Sequence, residues 1–298
     1  MGRNFLTDKK IKAVPGKVHK VSDFDTDYKA DLDDKDDATA LLESNIQEMV
    51  DLQDKLYAQN RHSVLIIFQA MDAAGKDGTI KHVTSGLNPQ GCEVYSFKTP
   101  TVAELDHDYL WRTYKCMPER GRLGIFNRSY YEEVLVVKVH PEYLLAQNLP
   151  GIESLNDVSK DFWEKRYRQI NDMEKHLSEN GLTILKFFLN VSKKEQKKRF
   201  MERIEDPSKN WKFSSGDVKE RSYWDSYMKA YGDMITATST DYAPWFVIPA
   251  DRKWFMRYAV SNIIINSFKN LKPEYPSLPD SEIAELHVAK QMLLDEQD

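Results

Sequence analysis

Five short, nearly continuous apolar runs, each followed by a segment with helical spacing, constrain this chain more than any other feature. SVLIIFQ (63–69) comes first, then CEVYSF (92–97), RLGIFN (122–127), LTILKFFL (182–189) and PWFVIP (244–249). Such runs suit strands buried on both faces of a parallel sheet. Helical periodicity occupies segments near 76–87, 102–116, 129–147, 157–180, 192–206, 217–238 and 252–271. Five strand-to-helix alternations predict an α/β fold with a parallel sheet and right-handed crossovers. Thr101 with Glu104, and Ser192 with Glu195, have capping-box spacing at two helix starts.

A further helix is expected over 37–60, where Leu41, Leu42, Ile46, Met49, Val50, Leu52, Leu56 and Tyr57 recur at helical intervals. The first 36 residues read as an irregular polar arm; 37–272 form the main domain. The tail 273–298 begins with Pro273, Pro276 and Pro279 and ends in a helix from Asp280. At 298 residues and 41% hydrophobic, the chain can bury a substantial core. Its 42 basic against 47 acidic residues, net −5, argue against a dedicated nucleic-acid binder. No stretch approaches the ~18 apolar residues that span a bilayer. The start MGRNFLTDKK lacks an apolar leader, and Leu6 stands where N-myristoylation at Gly2 would want Ser or Thr. Cys92 and Cys116 have no metal-ligand spacing, so a cytoplasmic protein with reduced thiols is expected. Charge is uneven: residues 23–37 carry eight aspartates, whereas 193–221 carry ten Lys or Arg against six acids.

Directly after the first strand comes AMDAAGKDGT, Ala70 to Thr79, opening a helix. This follows the phosphate-loop plan G-x-x-x-x-G-K-[ST], with Gly75 and Lys76 in place. Backbone N–H groups of Ala73, Ala74, Gly75, Asp77 and Gly78 would surround phosphate oxygens, with Lys76 and Lys81 adding charge. Ala70 replaces the first glycine and Asp77 the hydroxyl that usually touches Mg²⁺. Asp72 and Asp77 beside a polyanion make sense if they share a divalent cation with it.

The third strand ends at Asn127, where many phosphate-loop proteins carry a metal-holding aspartate. Metal duty therefore falls to Asp72. Arg128 sits just beyond the strand's carboxyl end, where ligands of open α/β sheets bind, and reads as a phosphate clamp or as an ion pair with Glu132. In 193–221, Arg199 and Arg203 lie one helical turn apart, and Pro207 breaks the helix into a loop bearing Lys209, Trp211 and Lys212. Alone, a charged helix is more often a solvated face; beside a phosphate loop it reads as a lid. Trp211, Trp224 and Tyr227 either stack on a base or belong to the core.

FQAMDAAGKDGTIKHV (68–83), WRTYKCMPERGRLGIFNRSYYEEVLVVKVHPE (111–142), KFFLNVSKKEQKKRF (186–200), ERIEDPSKNWKFSSGDVKERSYWDSY (202–227) and PWFVIPADRKWF (244–255) together resemble the family-2 polyphosphate kinases across 37–272. The resemblance implies a three-layer α/β/α P-loop kinase core with a five-stranded parallel sheet and a helical lid at about 193–221. It implies transfer of the terminal phosphoryl group of inorganic polyphosphate to ADP and AMP, with Mg²⁺, or Mn²⁺ in its place. Guanine nucleotides are a further acceptor class. The catalytic centre would be Asp72, Lys76 and Arg128, with Asp72 toward the metal and Asp77 as a second metal candidate. Arg199, Arg203, Lys209 and Lys212 would be lid cations on the polyphosphate, while Glu132, Arg203 and Trp211 would orient the nucleotide. The Tyr131-Glu132 pair resembles the branch using both mono- and diphosphates. A homo-oligomer, dimer or tetramer, is expected, with the apolar helix near 41–57 as one candidate contact. An ATP-dependent nucleoside monophosphate kinase and a non-catalytic polyphosphate binder are the alternatives.

Overall fold

The computed structural model describes residues 4–32 and 34–296; Gly2 and Asp33, with 1–3 and 297–298, lie outside the described residues. The five expected strands are present as β1 (Ser63–Gln69), β2 (Cys92–Ser96), β3 (Leu123–Asn127), β4 (Leu182–Asn190) and β5 (Trp245–Pro249). All pair in parallel, in the order β2-β3-β1-β4-β5. β1 is buried at every position and lies between β3 and β4, as its unbroken apolar run requires. β2 is an edge strand, and Val94 there is exposed.

The helices are α1 (Lys35–Gln59), α2 (Lys76–Val83), α3 (Val102–Leu105), α4 (Trp111–Tyr114), α5 (Val136–Val139), α6 (Lys160–Glu179), α7 (Lys193–Glu205), α8 (Ser215–Arg221), α9 (Trp224–Thr238), α10 (Lys253–Leu271) and α11 (Asp280–Asp295). Contacts join α10 with α1 and α2, and α6 with α9. Three expected helices are broken. The 102–116 segment divides because the Asp108 carboxylate accepts from the Leu110 N–H, a local bond that competes with the helix. The 129–147 segment becomes 3-10 turns around the single turn of α5; Pro141 keeps His140 (φ −121°, ψ 70°) out of the helical region. The 217–238 segment splits into α8, with no buried residue, and α9, which buries Trp224, Tyr227, Tyr231, Met234 and Ile235. Both capping starts are present, but only Thr101–Glu104 is reciprocal. Ser192 accepts from Glu195 N, while the Glu195 carboxylate is held by Arg199 instead.

Described residues of the arm contain two 3-10 turns but lie against the core. Phe5, Ile11, Ala13, Val21 and Phe24 are buried, and Phe5 meets Phe255 and Tyr258 edge-on. Ala13 N donates to Trp245 O and Val247 N to Ile11 O, so the arm covers the free edge of β5. The aspartate run has a local use: Asp34 caps α1 through Asp36 N, and Asp36 and Asp37 occupy its first turn. The apolar face of α1 packs on α10, leaving Leu41, Ile46, Val50 and Leu52 partly buried and Tyr57 exposed. Exposed apolar side chains also occur on α11, at Leu286, Val288, Met292 and Leu293. Among the described residues no helix is long and apolar enough to cross a membrane.

Candidate active site

The chain leaves β1 at Gln69 and turns through residues 70–75 into α2. Ala73 (φ +59°) and Gly75 (φ +110°) make the turn. At Gly75 a Cβ would sit 3.1 Å from Met256 Cε, in a backbone conformation that L side chains avoid. Gly75 caps α2 without any side-chain bond, so first-turn N–H groups are left for an anion. Lys76 folds back over the loop, its Nζ donating to Ala70 O at 3.0 Å. Burial and then Arg128 push its pKa down to about 8, against the pull of Asp72, Glu132 and Asp77. Thr79 is fully buried and its hydroxyl donates to Gly75 O, a structural use.

Arg128 closes the other side. Its backbone is left-handed (φ +64°) and its N–H donates to Phe68 O at 3.0 Å. Nη2 donates to Asp72 Oδ1 at 3.0 Å and Nη1 to Glu132 Oε2 at 3.1 Å, so the guanidinium bridges two carboxylates. The Gln69 amide, oriented to satisfy both neighbours, donates to Glu132 Oε1 at 2.8 Å and accepts from Ser129. Glu132 is therefore fixed through both oxygens. The two departures from the generic loop pattern meet each other: Asn127 Nδ2 donates to Asp77 Oδ1 at 2.7 Å. Carboxylates at both positions would repel, and the amide removes that repulsion.

The structure places the four expected lid cations differently. Arg199 is 4% exposed. Nη1 donates to Ala73 O and Ala74 O, Nη2 to Ala250 O and Asp251 O, and Nε to Glu195. All five donors are engaged. Arg199 thus bolts the phosphate loop to the end of β5, with no donor left for a phosphate, and the reading of it as a lid cation is corrected. Arg203 faces Asp217 at 3.7 Å. Lys209 pairs with Asp206 at 2.7 Å, and Asp206 is held down to about 2 by hydrogen bonds from Lys209 and Ser208. Lys212 lies 4.9 Å over the ring of Trp211, which is 78% exposed. Lys209, Trp211 and Lys212 thus lie on an exposed turn between α7 and α8, not brought together with the loop. Trp224 and Tyr227 are core residues, and Lys81 is exposed on α2.

Several residues beside the loop escape sequence reasoning. Asp217 on α8 has its carboxyl pushed up by burial and then by Asp72, with Arg203, Arg128 and Lys76 pulling down, so α8 presents an acid to the loop cluster. Gln196 donates to Asp72 O at 3.0 Å. Arg257 on α10 approaches Gly78: a Cβ there would lie 3.8 Å from its Nη2. The buried Nε of Arg257 has no hydrogen-bond partner among the described residues. Lys253, one turn earlier, is pushed down by burial and then by Arg199 and Arg257. Arg257 stands in a helix whose apolar pattern explains it completely, so only the fold brings it to the loop. Among the described residues no three His, Cys, Asp or Glu side chains converge as a metal cage.

Comparison with known proteins agrees with this geometry. The model of the family Polyphosphate kinase 2 matches residues 31–276. An ADP-polyphosphate phosphotransferase of Rhodopseudomonas palustris is 54% identical over 254 residues, 85% of this chain and 87% of that protein. An AMP/ADP-polyphosphate phosphotransferase of Meiothermus ruber is 46% identical over 240 residues, 80% and 83% of the two chains. The crystal structure of polyphosphate kinase 2 from Arthrobacter aurescens superposes with a TM-score of 0.82 at 39% identity, covering 92% of this chain and 94% of that one. With the match spanning the phosphate loop, the Arg128 segment and the lid alike, the chain belongs to the polyphosphate kinase 2 family.

Proposed function

We propose that this protein transfers the terminal phosphoryl group of inorganic polyphosphate to nucleotides, ADP to ATP and AMP to ADP, reversibly. The observation that carries the reading is the cluster of Lys76, Arg128, Asp72 and Glu132 at an open helix N-terminus, in a chain of this family. Phosphoryl transfer asks little covalent chemistry of a protein, so positioning and charge neutralisation carry the rate. Lys76 and the first-turn N–H groups of α2 hold the transferring group, and Arg128, preset by Asp72 and Glu132, adds a planar charge beside it. Lys253 and Arg257 extend positive charge along the loop's other flank, which suits a linear polyanion. Arg203, Lys209 and Lys212 close over the donor from the lid, and Glu132 with Trp211 orients the nucleotide.

Asp72 and Asp77 supply hard oxygens for Mg²⁺. That ion binds through one or two carboxylates plus phosphate oxygens and water rather than through an all-protein cage. Held by Asp72 and Asp77, such an ion would supply neutralisation of the charge on the phosphates. Adenine nucleotides are the primary acceptors and guanine nucleotides a further class; the enzyme works in the cytoplasm as a homo-oligomer, for which α11 supplies an exposed apolar face. The test is ATP formation from ADP, and ADP formation from AMP, with Mg²⁺ and polyphosphate as sole donor. Failure to form ATP from polyphosphate and ADP overturns the reading. A parallel arm with ATP and a monophosphate, without polyphosphate, exposes an ATP-dependent kinase.

A further inference from the structure

Below the Arg128 loop lies a closed polar network on the floor of the site. Tyr130 and Tyr131, on the 3-10 turn Tyr130–Val134, point into the core, 1% and 0% exposed. Both hydroxyls donate to one oxygen, Glu174 Oε1 on α6, at 2.8 and 2.7 Å. Glu174 Oε2 accepts from Lys186 Nζ on β4 at 2.7 Å. Lys186 also donates to Tyr131 Oη at 2.8 Å and to Thr238 O, the last residue of α9, at 2.7 Å. Glu174 and Lys186 are both 0% exposed, and all three ammonium protons have acceptors. A buried ion pair is poor evidence of stabilisation, since apolar residues of the same volume often serve as well. Its presence here calls for another explanation.

We propose that Glu174 and Lys186 are positioning residues that set the backbone of Arg128 by anchoring the two tyrosine hydroxyls. Arg128 holds an unfavourable left-handed backbone, which persists only where the surroundings over-determine it. On its N-terminal side it is tied by the bond to Phe68 O; on its C-terminal side Ser129 is held by Gln69 and by Tyr131 N, and the paired tyrosines that follow tie that turn to α6 and β4. The same lysine ties β4, which runs into α7 of the lid, to the C-terminus of α9, which follows the lid. The network therefore sets the Arg128 loop relative to both roots of the lid.

This inference rests on the phosphotransferase reading above, and its test separates the two. The double substitution Tyr130→Phe/Tyr131→Phe keeps the rings and removes both anchors. Polyphosphate-dependent ATP formation from ADP is measured for wild type, this variant, Arg128→Ala and the triple variant, alongside thermal midpoints and nucleotide binding. We expect kcat to fall at least tenfold in the double phenylalanine variant, with nucleotide affinity changed less than threefold. In the Arg128→Ala background the same change costs less than twofold further, because the group being positioned is gone. Equal fold losses in the two backgrounds, or an unchanged kcat, overturn the proposal. If the double variant fails to fold, Tyr131→Phe alone is put through the same cycle with the same criteria. A wild type without turnover refutes the phosphotransferase reading instead.

Discussion

Lys76 offers a direct physical test of the site, because burial and Arg128 outweigh the pull of Asp72, Glu132 and Asp77 on its charge until a polyanion binds. In the free protein its pKa is lowered from 10.5 to about 8 by burial and then by Arg128. That difference disfavours the charged form by about 3 kcal/mol. The sign follows from linkage: between about pH 8 and 10.5 the unfolded chain binds more protons at this position than the folded one, so ligand-free stability gains from Lys76 as pH rises through that window. Polyphosphate set against the ammonium reverses the balance and draws a proton back. Above pH 8 its affinity should fall about tenfold per pH unit, with close to one proton taken up per chain bound at pH 9. Phosphate oxygens with a second pKa near 6 do not titrate there. Isothermal calorimetry in two buffers of different ionisation enthalpy reads the proton count directly. The uptake should be nearly absent at pH 6.5, and it should vanish at pH 9 in Lys76→Arg, whose guanidinium stays charged. No uptake at pH 9 in the wild type, or undiminished uptake in Lys76→Arg, would refute the reasoning.

Other substitutions test the surrounding geometry. Asn127→Asp faces Asp77 with a second carboxylate, raising the pKa of one of them; in chelator the thermal midpoint should drop at pH 8, by about 1 kcal/mol of stability for this partly exposed pair, and recover as pH falls to 5. A midpoint insensitive to pH would mean that the two groups do not meet. Arg199→Ala leaves buried carbonyls of the loop and of β5 unpaired and should cost roughly 3–5 kcal/mol in chemical denaturation, whereas Arg203→Ala should leave stability within about 1 kcal/mol and raise KM for polyphosphate. Equal stability losses would sink that distinction. Gly75→Ala should lower stability by about 1–2 kcal/mol and abolish most turnover, since φ +110° suits glycine alone; full activity would remove the loop's conformational requirement.

Much of this molecule was legible in the order of residues. Continuous apolar runs specify strands buried on both faces whatever their neighbours, so all five were placed to within a residue or two, and the parallel sheet followed from the alternation with helices. The loop could be found because its chemistry is local: a glycine, a lysine and the opening of a helix, contiguous in the chain, are what a phosphate needs. Breaks in 102–116 and 129–147 were less visible, since they depend on whether Asp108 bonds its own backbone and on how His140 responds to Pro141.

Roles of the charged residues were a different matter. Arg199 and Arg203 are the same residue type one turn apart on one helix; which is a buried bolt and which is left beside Asp217 depends on which one meets the carbonyls of residues 73, 74, 250 and 251. Asp77 and Asn127 each look like a defect until strand pairing sets them 2.7 Å apart. Tyr130, Glu174 and Lys186 give no local signal at all, because three separate elements must pack before their polar atoms can meet. By itself the sequence determined the sheet, the loop and the family, whose signals lie in contiguous residues and their periodicity. Only the tertiary structure decided which cations are spent on the fold and which keep donors free, because a charge is assigned by the partners that packing brings within hydrogen-bond reach.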